Sequence, residues 1–67
     1  MKETGKAIET AYAAQVAGLY SVFAQAVVAA GGDQAEIEDA EARFAKGLAH
    51  AKDVRARALD LAGEVDA

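Results

Sequence analysis

From Thr10 to Gly32 the chain runs TAYAAQVAGLYSVFAQAVVAAGG without one charged residue. Ala, Leu and Gln favour helix, and no proline interrupts the run. A helix of this composition has to be covered by something other than water. Ile8, Tyr12, Val16, Leu19, Phe23, Val27 and Ala30 recur at spacings of three and four, the signature of an amphipathic helix. Tyr20 and Val22 widen that stripe. The opposite face carries Ala11, Ala14, Gly18, Ser21, Gln25 and Ala29, where a surface helix would carry Lys and Glu. Three covers are open to it: water over an alanine-rich back, a second helix approaching closely at the small residues Ala14 and Gly18, or lipid. The run is long enough to span a bilayer. Gln15, Ser21, Gln25 and the glycines dilute it, however, and neither end has a Lys/Arg cluster or a Trp anchor. The interior of a soluble oligomer is therefore expected, with a membrane as the weaker alternative.

Gly31-Gly32-Asp33 is the one clear break. Gly31 suits the left-handed position that follows a helix. Asp33 is a good N-cap, and Glu36 three residues later makes a capping-box pattern. A connection this short forces its two helices to lie side by side and antiparallel. The expected boundaries are helix 1 at about residues 6–30, a turn at 31–33, and helix 2 at about 34–63. Gly5 is expected to fray the start of helix 1.

Helix 2 shows a heptad pattern. Ile37, Phe44, Ala51, Ala58 and Val65 hold one position, and Ala40, Gly47, Val54 and Leu61 the other, with Leu48, Leu59 and Ala62 beside them. Acids come early (Glu36, Glu38, Asp39, Glu41) and bases later (Arg43, Lys46, Lys52, Arg55, Arg57), which suits the helix dipole. Asp39–Arg43 and Asp53–Arg57 are spaced for pairing within the helix. The rest of the charge reads as a solvated face.

If the turn centres near residue 32, residues at one level of the hairpin have numbers summing to about 64. Phe44 then lies near Tyr20 and Phe23, Leu48 near Val16, and Ile37 near Val27. Gly47 and Ala51 leave room for Leu19 and Tyr12. Arg55 falls within the apolar stripe of helix 2, and the residue at its level is Glu9. A Glu9–Arg55 ion pair is expected near the open end, within one chain or exchanged across a dimer, where its role is to set register.

A chain of 67 residues builds only a thin core. Without cysteine it has neither disulfides nor thiolate metal sites, and one histidine cannot make a multi-histidine centre. No cofactor or metal is expected, and oligomerisation is the remaining staple. The fold class expected is all-α: an antiparallel two-helix hairpin that associates with itself, most simply as a dimeric four-helix bundle. Its core and oligomer interface would comprise Ile8, Tyr12, Val16, Leu19, Tyr20, Phe23, Val27, Ile37, Phe44, Leu48, Val54 and Leu61.

An enzyme is not expected. Ser21, Thr4 and Thr10 have no base at motif spacing. Gly31-Gly32 lacks the Lys and Ser/Thr of a phosphate loop. His50 has Gly47, not Glu, three residues before it, so the Glu-x-x-His metal motif is absent. A net charge of -4 disfavours nucleic acid as the main partner. The polar first residues show no secretory pattern, which places the chain in the cytoplasm as an expectation.

Two outlines bear on function. His50, in the string LAHAKDVR, resembles the phosphoryl-accepting histidine of histidine-kinase dimerisation hairpins, which implies phosphotransfer. The hairpin-dimer outline is similar to Rop-type RNA-binding hairpins, which implies RNA binding, although helix 1 offers only Lys2 and Lys6 for it. The expected function is a homo-oligomeric structural or protein–protein interaction module, such as an adaptor or small chaperone, with a possible second protein partner. A filament, coat or needle-like subunit is the first alternative, and a small RNA-binding or phosphotransfer regulator the second.

Overall fold

The computed structural model describes residues 2–66, with side chains from 3 to 65. Helix α1 spans Lys2–Ala30 and α2 spans Gln34–Asp66. They pack against each other along their length as a hairpin, a flat rod of 51 × 15 × 8 Å.

The turn follows from local chemistry. Gly31 and Gly32 take φ values of 57° and 90°, open to glycine at little cost. The Gly31 amide donates to the Val28 carbonyl at 3.2 Å and the Asp33 amide to the Ala30 carbonyl at 3.0 Å, which closes α1. Asp33 then caps α2: its Oδ1 accepts from the Glu36 amide at 3.2 Å. The Asp33 amide is already engaged with Ala30, so Glu36 has no free donor there to complete the box.

Both helices are longer than the sequence spacing suggests. Helix α1 begins at Lys2, because one glycine costs about 1 kcal/mol and cannot stop a helix flanked by good formers. Helix α2 continues through Gly63 to Asp66. Gly63 keeps a negative φ, so it acts as a helical residue and not as a cap.

The seam between the helices departs from the heptad expectation in α2. On α1 it follows Ile8, Tyr12, Val16, Leu19, Phe23, Val27 and Ala30, a pattern that repeats every eleven residues. On α2 it follows Ala40, Phe44, Gly47, Ala51, Arg55, Ala58 and Ala62, again with an eleven-residue repeat. Eleven residues make three turns of a nearly straight helix, whereas a heptad row drifts about 20° per repeat. The heptad residues Val54, Leu61 and Val65 therefore leave the seam and stand 45%, 61% and 82% exposed. Arg55, Leu59 and Ala62 are half-buried.

Packing is close only where side chains are small. Ala30, Ala40 and Ala51 are the buried hydrophobic residues among those described. Phe23 and Phe44 stack with ring centroids 4.8 Å apart. Gly47 lies against Leu19, and a Cβ built there would meet Leu19 Cδ2 at 2.8 Å. No large side chain is fully buried among the described residues.

Candidate interaction surface

The apolar side chains that α2 does not cover form the main candidate surface. Tyr20, Val22 and Val28 are 61%, 65% and 81% exposed on α1. Two shallow grooves run beside the seam. One, of ≈ 220 Å³, is lined by Leu19, Val22, Phe23 and Ala26 from α1 and by Ala40, Arg43 and Phe44 from α2. The other, of ≈ 190 Å³, is lined by Ile8, Ala11, Tyr12 and Gln15 together with Val54, Arg55 and Ala58. Val22, Ala11 and Gln15 share one flank of α1, so both grooves open on the same broad face of the rod. Leu61 and Val65 extend that face toward the open end, and Gly18 lies between the grooves. Nothing lies within 4 Å of a Cβ built at Gly18.

A third hollow, on the back of α1, is lined by Ala24, Gln25, Val28 and Ala29. Ala14, Gly18, Ser21 and Gln25 are all exposed in the hairpin. Helix α1 is also long and apolar enough over Glu3–Ala30 to cross a membrane, by length and composition alone, with a mean hydropathy of 1.5 in an 18-residue window.

Of the sequence-derived interface residues, Ile8, Tyr12, Val16, Leu19, Phe23, Val27, Ile37, Phe44 and Leu48 are half-buried, in or beside the seam. Tyr20, Val54 and Leu61 are exposed, and within one hairpin they contribute little to the core. Arg43 was missed as a groove residue. Its spacing from Asp39 marks it as surface charge, and only the phase of α2 shows that its stem walls the groove.

Glu9 and Arg55 meet near the open end. Arg55 Nε donates to Glu9 Oε1 at 2.7 Å, and Nη2 donates to Oε2, a two-pronged contact. The Arg55 guanidinium also lies 5.3 Å from the centre of the Tyr12 ring, close enough for cation–π attraction. The hydrogen bond from Arg55 holds the Glu9 carboxyl below its usual range, with partial desolvation opposing and the charge of Arg55 reinforcing. The same bond raises Arg55. The side chains remain 35% (Arg55) and 48% (Glu9) exposed, so the pair orients more than it stabilises.

Two further pairs lie along α2: Asp39–Arg43 at 3.2 Å and Asp53–Arg57 at 3.0 Å. His50 is exposed. No group of metal-binding side chains occurs among the described residues. Comparison with known proteins yields no match: no family model, no curated protein and no solved structure is similar to this chain.

Proposed function

We propose that the chain is a non-enzymatic, self-associating helical hairpin that serves as a structural or protein–protein interaction module, with a dimeric four-helix bundle as its working form. One observation carries this reading. A folded monomer of 6.9 kDa should expose about 4,000 Å², and this hairpin exposes 4923 Å². The excess, about 900 Å², matches the roughly 800 Å² that each partner contributes to a standard protein interface. The exposed surface includes the large apolar side chains Tyr20, Val22, Val28, Val54, Leu61 and Val65, which suits an obligate homodimer. The eleven-residue seam also leaves Val54 and Leu61 outside the hairpin, where a second hairpin can use them.

Sedimentation tests this directly. A dimer mass is expected, with helicity lost on dilution because folding and association are linked. A fully helical monomer at low micromolar concentration would refute it. The hollow at Val28 on the back of α1 supports the alternative of a filament or coat subunit, since it offers a second contact surface. That alternative gives a concentration-dependent series of species. Flotation with lipid vesicles would point to a membrane instead.

A further inference from the structure

We infer that two copies pair antiparallel, face to face over the two grooves, about a two-fold axis that crosses Gly18. The inference rests on the homo-oligomer reading above and adds the face, the direction and the register.

The charges on α2 set the direction. Asp39–Arg43 and Asp53–Arg57 run acid before base in both pairs, along the edge of α2 beside the groove face. A two-fold axis along the rod would instead lay α2 over α1 of the second copy, which carries no charge between Thr10 and Gly32, and would leave these charges without a partner. Laid antiparallel against itself, the edge sets Asp39 against Arg57 of the second copy and Arg43 against Asp53 of the second copy. Both matches centre on position 48 of α2, so one register satisfies all four charges.

Helix α1 reaches the same centre independently. Leu19 lies against Gly47, which places Gly18 at the level of residue 48. Gly18 faces the groove side with open space above it, so two α1 backbones can approach closely there. The α1 side of the contact carries no charge between Thr10 and Gly32. Each hairpin thus offers to its own image an uncharged helix and a helix whose two ion pairs find opposite charges, which suits an isologous interface.

A pair of measurements tests direction and register apart from association. The chain has no cysteine, so Ala35→Cys on the exposed first turn of α2 takes a single spin label. Antiparallel pairing about residue 48 separates two such labels by about 39 Å along the rod, at 1.5 Å per residue. Hairpins with both turns at one end bring them to roughly 10–20 Å, the width of a bundle.

The second measurement swaps charges in pairs. Asp39→Arg with Arg43→Asp keeps the bond within the helix but sets like charges across the antiparallel contact. The dissociation constant should rise by roughly tenfold, since each exposed pair contributes little alone. Adding Asp53→Arg with Arg57→Asp should restore it. A dimer with short label distances, or one indifferent to the single swap, overturns this inference and leaves the homo-oligomer reading standing. A monomer overturns both.

Discussion

Gly47→Ala tests the packing of the hairpin most closely, because two effects of similar size oppose each other there. Glycine within a helix costs about 1 kcal/mol relative to alanine, so the substitution alone should stabilise α2. The added methyl, however, meets Leu19 Cδ2 at 2.8 Å, well inside ordinary contact. Leu19 must then shift by most of an ångström or leave its rotamer, at about 1 kcal/mol, and overpacking a seam costs about 1–3 kcal/mol. Gly47→Ala should therefore be neutral or destabilising by up to about 2 kcal/mol, despite its helix propensity. In a Leu19→Ala background the obstruction is gone, and the same substitution should stabilise by about 1 kcal/mol. Urea unfolding of the four proteins at one fixed concentration completes the cycle, with a coupling of about 1–3 kcal/mol expected. A full gain from Gly47→Ala in the wild-type background would refute the reasoning, since it would mean that Leu19 yields that space at no cost.

Acid titration should separate wild type from Glu9→Gln. The Glu9 carboxyl is held below its usual range chiefly by the Arg55 hydrogen bond, so it favours the folded hairpin while ionised. That contribution is present above the ordinary carboxylate range and is lost as pH falls through the lowered value. Wild type should lose more stability on acidification than Glu9→Gln, measured by urea midpoints; superimposable acid limbs would show that the pair carries no folding free energy. Asp33→Ala removes the acceptor for the Glu36 amide and should cost about 1 kcal/mol. An unchanged melting temperature would mean that the packed seam, not the cap, sets the start of α2. Gly18→Leu should weaken association far more than Ala24→Leu, because the added side chain would stand at the proposed axis. Equal dissociation constants would leave that face solvated.

The turn could be placed from sequence because its causes are local. Gly-Gly supplies two left-handed positions, Asp caps the following helix, and three residues reach only to an adjacent antiparallel partner. The levels of residues across the hairpin follow from the same turn and a constant rise per residue. Glu9 could be set opposite Arg55 on that basis, since level and wheel angle are both computed along one chain. That the fork closes on both carboxylate oxygens, with the Tyr12 ring beside it, belongs to the tertiary structure.

The rotation of α2 about its own axis was not legible in its sequence. Its apolar residues satisfy both a seven- and an eleven-residue repeat, because Ala, Val and Leu occupy so many positions. Only contact with α1, whose large residues repeat every eleven, selects between them. Ala40 and Ala51 are buried under either repeat; the selection brings Arg55 into the seam and turns Val54 and Leu61 outward. A helix states its own period in its sequence, but which face it buries depends on the pattern of the surface it meets.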